Sequence, residues 1–209
     1  MQARIKMKKK LLLNFIKLEI IFEFIRDKFW TFFIKKAMGS CGSNVKLKPT
    51  SSVFKGVENF HFADDIRIAH NAVIYAGVAK IIIGNKVAIA PNLNIMTGNH
   101  RVDIVGHFMF DGNNEEKRPE DDKDVIIEGE AWIGVSVTLL SGVVIGRGSV
   151  VSAGAVVTKS CPPYSIIAGV PAKVIKYRFT IDEILEHEKL LYKVEDRFTI
   201  DKLQSFRNK

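Results

Sequence analysis

The chain has 209 residues, and a 47% hydrophobic composition with 14 Phe is ample for one domain with appendages. Its net charge of +8 is unevenly held: residues 1–50 carry twelve Lys/Arg against three Asp/Glu, whereas the other 159 carry 19 against 20. The basicity belongs to an N-terminal arm, and with no nucleic-acid-binding motif or aromatic-basic sheet pattern no nucleic-acid partner is expected. Two cysteines, Cys41 and Cys161, exclude a disulfide framework and point to a reducing, cytoplasmic setting. No metal-ligand spacing occurs, so no metal is expected.

Residues 1–50 form the basic, apolar arm. Lys17, Glu19, Glu23, Arg26, Asp27 and Lys28 interrupt its apolar run, and no small-residue cleavage site follows, which excludes a signal peptide. No stretch reaches the roughly 18 uncharged residues of a membrane span. Ile16, Ile20 and Phe24, with Leu13 and Ile21, stand at helical spacing. The expected helix packs on its own body or on a sister subunit, and contact with an anionic lipid surface is compatible with either. Gly39 to Gly42 stop the helix, and Pro49 is expected to keep the next segment extended.

Residues 51–178 carry a six-residue period, which fixes the fold before secondary structure is assigned. Its clearest stretch runs from Ile127: position one is Ile127, Ile133, Leu139, Ile145, Val151 and Val157, and position five is Ala131, Val137, Val143, Ser149, Ala155 and Cys161. Neither a helix nor a simple strand has a six-residue period. A chain turning a corner every six residues does, with coils stacked roughly 4.8 Å apart. Upstream, Phe62, Ile68 and Ile74 hold position one with Ile66, Ala72 and Val78 at position five. After a three-residue bulge near Ala79–Ile81 come Ile83, Ile89 and Ile95, with Val87 and Leu93. Residues 97–124 abandon the register for a protruding loop rich in Gly, Asn and acids, and loops of that length in a repeat domain are commonly functional.

Pro162 and Pro163 are expected to stop the strand ladder and Pro171 to cap the last coil. Residues 179–209 form a helical tail: Thr180 with Glu183 makes a capping box for a helix to residue 192, and Thr199 opens a second helix to Phe206. The tail should cover the sticky coil end.

The hexapeptide coils, the NIMTGNHR excursion, the AWIG restart and the VVSAGAVVTKSCPPYSIIAGVPAKVI stretch resemble the left-handed parallel β-helix acyltransferases. The similarity is to the maltose/galactoside and xenobiotic acetyltransferase branch, with its capsular and surface polysaccharide O-acetyltransferases, and it covers about residues 54–179. It implies an all-β, left-handed β-helix with an N-terminal helix and a helical tail. It also implies a homotrimer with sites between subunits and acetyl-CoA as acyl donor. His100 stands where the register breaks, and a neutral imidazole suits removal of a hydroxyl proton. The resemblance makes it the general base of a direct transfer in a ternary complex, with Asp103 a candidate to orient it. It also assigns the oxyanion donor to the main-chain amide of Val135. Trp132, Asn99 and Asn92 are candidates for the acceptor, although asparagines at coil corners commonly serve as turn formers. Small residues such as Ala153 and Gly154 admit the pantetheine arm. Thr158, Lys159 and Lys173 align with the coenzyme-contacting stretch.

The expected activity is therefore acetyl transfer to a hydroxyl of a sugar or polysaccharide precursor, at the inner face of a membrane in view of the basic apolar arm. The alternatives are a streptogramin- or chloramphenicol-type xenobiotic acetyltransferase and a non-catalytic β-helix scaffold.

Overall fold

In four successive coils the corners on either side of the second sheet are each turned by a residue in the left-handed region. One stack of such residues is Asp65, Lys86, Glu130 and Gly148; the other is Asn71, Asn92, Ser136 and Gly154. Side chains that tolerate this conformation, chiefly Asn, Asp and Gly, are what the sequence supplies at most of these positions. In the computed structural model, which describes residues 2–110, 117–118 and 120–207, these corners separate three flat parallel sheets.

Coil by coil the strands are short. They are β1 (Ser40–Cys41) and β2 (Val53–Lys55); β3 (Phe60–Phe62), β4 (Arg67–Ile68) and β5 (Val73–Tyr75); β6 (Ile81–Ile83), β7 (Ala88–Ile89) and β8 (Asn94–Met96). After the long excursion come β9 (Val125–Ile127), β10 (Trp132–Ile133) and β11 (Thr138–Leu139), then β12 (Val144–Ile145), β13 (Val150–Val151) and β14 (Val156–Val157). A final hairpin of β15 (Ser165–Gly169) and β16 (Ala172–Tyr177) closes the prism. The first sheet runs β1-β3-β6-β9-β12, the second β4-β7-β10-β13-β15-β16 and the third β2-β5-β8-β11-β14.

Register is kept through every coil. Phe62, Ile83, Ile127 and Ile145 oppose one another in the first sheet, in steps of 21, 44 and 18 residues. Eighteen residues make three six-residue sides; the longer steps add residues at a corner and leave the ladder intact. All twelve position-one and position-five residues from Ile127 to Cys161 are buried inside the prism. Each large aliphatic contributes about 1.5–3 kcal/mol by leaving water.

Several expectations are corrected. The prism begins at Ser40, ahead of residue 51, because β1 pairs with β3 and Lys46 bridges Arg67. Pro49 opens a short 3-10 turn over residues 49–51 and does not extend the chain. Val78 is 83% exposed, since the extra residues bulge outward at 77–78 and Ala76 and Ile81 fill the interior instead. Pro162 and Pro163 do not end the ladder: they form a corner, and β15 continues the second sheet beside β13.

The C-terminal tail comprises α2 (Ile181–Leu191), opened by the Thr180–Glu183 capping box, and α3 (Ile200–Arg207). Two carboxylates fasten it. Buried Glu188 accepts from Tyr164 Oη (3.0 Å), Arg147 (3.3 Å) and the Phe198 amide; Glu130 accepts from Arg178 (2.9 Å), His187 Nε2 (3.0 Å) and Tyr192 Oη (2.9 Å). Burial, with Glu130 and Glu188 close by, pushes the Tyr164 hydroxyl well above the usual phenol range, so it stays a donor.

At the other end α1 (Gln2–Ala37) is a single helix docked only by its C-terminal part. Thr50 donates to Asp27 Oδ1 through its amide (3.1 Å) and hydroxyl (2.6 Å), and Lys48 Nζ stands 3.1 Å from Oδ2. That last contact is an ion pair without hydrogen-bond geometry. Ile34 packs on the prism core. The expectation that the helix packs on its own body therefore holds for its last turns only, because Leu11 to Phe22 point into solvent. No helix among the described residues is long and apolar enough to cross a membrane.

Burial opposes ionisation of Asp27, but the Thr50 and Lys48 donors outweigh it and hold the carboxyl below its usual 3.8. A depressed folded value stabilises docking above 3.8 and is lost as pH falls through it. The protection factor of the Thr50 amide should thus hold at neutral pH and fall only below about pH 3.8, and Asp27→Asn should remove that pH dependence.

Candidate active site

The excursion leaves and re-enters the prism at the corner between the third and first sheets. Thr97, fully buried, accepts from the Gly77 amide (2.9 Å) and donates to the Ala79 carbonyl (3.4 Å) through its hydroxyl. Its own carbonyl accepts from Lys123 N (3.1 Å) and Ser141 Oγ (2.7 Å). Asp122 completes the root: Oδ1 accepts from the Asn99 amide (3.1 Å), and Lys117 Nζ reaches both oxygens (3.1 and 3.2 Å). Gly98 and Gly77 face this carboxylate, and a Cβ on either would approach it to 3.1–3.2 Å. Lys80 N donates to Asp124 Oδ1 at 2.7 Å. Both ends of the excursion are held at one point, so the residues just beyond Thr97 have a fixed origin.

His100 stands three residues past that root. Its ring is exposed, makes no hydrogen bond to a described residue and lines an open cleft of about 430 Å³ with Asn99, Val102, Asp103, Arg118 and Asp121. Asp103 does not orient it: Arg101 Nε (3.0 Å) and Arg118 (3.2 Å) take that carboxylate. The Arg101 bond holds Asp103 below the usual carboxylate range, and the Arg118 amide does the same for Asp121. The cleft therefore keeps fixed negative charges paired with arginines. Residues 111–116 and 119 of the expected loop lie outside the described residues. His107 lies farther along the excursion, exposed.

Val135 lies at the corner between the second and third sheets, one step before β11. Its carbonyl accepts from Gly154 (2.8 Å), while its own amide donates to no described group. The Ala153 amide one coil on is likewise unspent. Gly154 takes φ +71, and a Cβ there would meet nothing within 4 Å, so the corner opens outward. Asn92 occupies the same stack with φ 63, and its side chain donates to Ser136 Oγ at 3.3 Å. In this chain its geometry is that of a turn former.

Trp132 is 59% exposed on the outer face of the second sheet between Ala88 and Val150. Thr158 and Lys159 are exposed on the corner that also launches the excursion, farther toward the C-terminal end, and Lys173 is exposed on β16. The chain thus gathers Asn99 and His100 with Thr158 and Lys159 along one corner, and Asn92, Val135, Ala153 and Gly154 along another. Asn94 and Thr138 pair across the third sheet between them. The residues missed in the sequence were Thr97, Ser141 and Asp122, which root the loop. Their signal was the strict return to register at Val125, which demands a closed anchor. Among the described residues no group of three His, Cys, Asp or Glu is placed to hold a metal ion.

No family model matches the chain. Galactoside O-acetyltransferase of Escherichia coli is 31% identical over 159 residues, covering 76% of this chain and 70% of that protein. A chloramphenicol acetyltransferase of Escherichia coli is 38% identical over 119 residues, but the match spans 51% of this chain and only 56% of that relative. Among solved structures, a galactoside acetyltransferase in complex with coenzyme A superposes with a TM-score of 0.57 at 26% identity, covering 79% of this chain and 74% of that one.

Asp122 is the test of the loop root. Asp122→Ala removes the acceptor of the Asn99 amide and the partner of Lys117, at a cost of about 1–3 kcal/mol of local stability. The Asn99 amide should exchange about ten-fold faster or more, whereas exchange in β10 and β13 should be unchanged.

Proposed function

The chain belongs to the hexapeptide-repeat, left-handed β-helix acetyltransferases, and on that premise we propose that it moves acetyl from acetyl-CoA to a hydroxyl of a sugar or surface polysaccharide precursor, with His100 as general base. The observation that carries this reading is a pair of groups on two corners of one sheet, the ring of His100 and the amide of Val135, neither of them hydrogen-bonded to a described residue. Transfer needs both. The imidazole takes the acceptor's proton as its oxygen attacks the thioester carbonyl, and the Val135 amide donates to the oxyanion that forms. Collapse breaks the C–S bond, and the imidazolium returns the proton to the departing thiolate. The acetyl group passes directly between the two substrates.

Because these groups flank the third sheet from opposite sides, one copy does not enclose both. The reading therefore takes the enzyme as a homotrimer in which the His100 corner of one copy faces the Val135 corner of the next. Acetyl-CoA would lie in that groove, its pantetheine arm along the unspent amide of Ala153 and the bare Cα of Gly154 and its phosphate end toward Thr158, Lys159 and Lys173. Asn99 and Trp132 would border the acceptor. The same reading takes the chain as cytoplasmic, with its N-terminal helix at the inner face of a membrane.

Calorimetric titration should give saturable acetyl-CoA binding near one per chain. His100→Ala should retain that binding and lose about 10²–10⁴-fold in turnover. Unchanged turnover sinks the base assignment, and a folded protein that binds no acetyl-CoA sinks the whole reading.

A further inference from the structure

The N-terminal helix is the largest feature that acetyl transfer leaves unused. It carries ten Lys/Arg against three Asp/Glu, a net +7 over Gln2–Ala37. Leu11, Phe15, Leu18, Phe22, Ile25 and Phe29 recur at spacings of three and four, which aligns them along one side of a helix. All six are between 50% and 61% exposed. Ile21, Phe32 and Phe33 widen the stripe to an arc of about 120° at 3.6 residues per turn, and they too are exposed.

The charges on this helix are sorted. Glu23 and Asp27 lie on the side away from the stripe, turned toward the prism, whereas Glu19, one turn earlier, is exposed near one edge of the stripe. Asp27 is buried with Thr50 and Lys48, Glu23 stands 3.4 Å from His70 Nδ1, and Glu19 pairs with Arg26 at 3.5 Å. Along one edge of the stripe the charged residues are lysines, Lys10, Lys17 and Lys28, with Lys6 farther round; along the other, Lys8 and Arg26 outnumber Glu19, and all are exposed. Lysines can lay their methylene stems along apolar surface and extend the ammonium outward, which carboxylates on short stems cannot. A second copy of this helix would bring the same positive flank against itself.

We infer that α1 is an in-plane anchor for an anionic lipid bilayer, entering through the Leu11–Phe15–Leu18–Phe22–Ile25–Phe29 stripe with its lysine flank on the lipid phosphates. The inference rests on the membrane location proposed above and specifies the face, the lipid class and the sign of the charge. An interfacial helix combines an apolar face at the acyl boundary with basic residues at the headgroups. The docked root at Asp27 and Ile34 fixes the side the helix presents, with the stripe pointing away from the prism.

The test is co-sedimentation of the full chain with vesicles of phosphatidylcholine and phosphatidylglycerol, beside vesicles of phosphatidylcholine alone. Binding should be strong to the mixed vesicles, at least ten-fold weaker to the neutral ones, and reduced by salt. Lys10→Gln and Lys17→Gln should each lower it about five-fold. Leu18→Asp with Phe22→Asp should abolish it. These exposed positions leave the prism intact, so acetyl-CoA binding should persist in every variant, which separates this inference from the enzymatic one. No vesicle binding, equal binding to both vesicle types, or binding that survives the double Asp variant overturns it. So does a double variant whose only effect is a smaller oligomer by sedimentation equilibrium, which would assign the stripe to a second copy.

Discussion

Everything in this protein hangs on the in-register parallel ladder between successive coils. Each strand is two or three residues long in most coils and has no standing alone; it is held by the strand before it and the strand after it. The left-handed corner residues make the ladder possible, because they turn the backbone sharply without consuming inward positions. The aliphatic at each inward site then falls on the aliphatic of the neighbouring coil. Burial in such a core is a nearest-neighbour property, which explains how a 44-residue step and an 18-residue step coexist in one sheet.

The same ladder decides how chemistry is distributed. A straight prism has no concave interior for a substrate, since its core is filled by side chains such as Ile133, Leu139 and Val157. Reactive groups must stand on its corners or on an excursion from them. Here the imidazole of His100 belongs to one corner and the Val135 amide to another, which is why the proposed function places both in a groove between copies. The acids around the cleft are matched by Arg101 and Arg118, leaving His100 with no carboxylate partner, of the kind that often fixes an imidazole, among the described residues.

The period read from Ile127 to Cys161 was fully legible because inward burial imposes it residue by residue. Legibility fell wherever another force governed. Val78 has the right type at the right count, yet the bulge at the corner moves it outside; periodicity alone does not say on which residue an insertion falls. The first coil was hidden because Cys41, Val45 and Leu47 are too few to establish a period, and they sit in the shadow of a long helix. Pro162 and Pro163 remove donors, but a corner needs none. For the candidate site, the break in register pointed to His100, and the stacked small residues pointed to Gly154. The carboxylate that roots the loop was invisible, since nothing in the run of acids at 120–124 distinguishes Asp122 from its neighbours until Asn99, Lys117 and the two glycines are seen around it.

The closed root at Thr97, Lys123 and Ser141 has a consequence for how such a protein changes over time. Because the two ends of the excursion are joined to each other at a single corner, its contents are uncoupled from the scaffold. Residues can be gained or lost between 101 and 120 without shifting any inward side chain of the coils on either side. The stretch behaves as an exchangeable cassette: its sequence can drift while the corner stack of Val135, Ala153 and Gly154, tied to the ladder, is not free to follow.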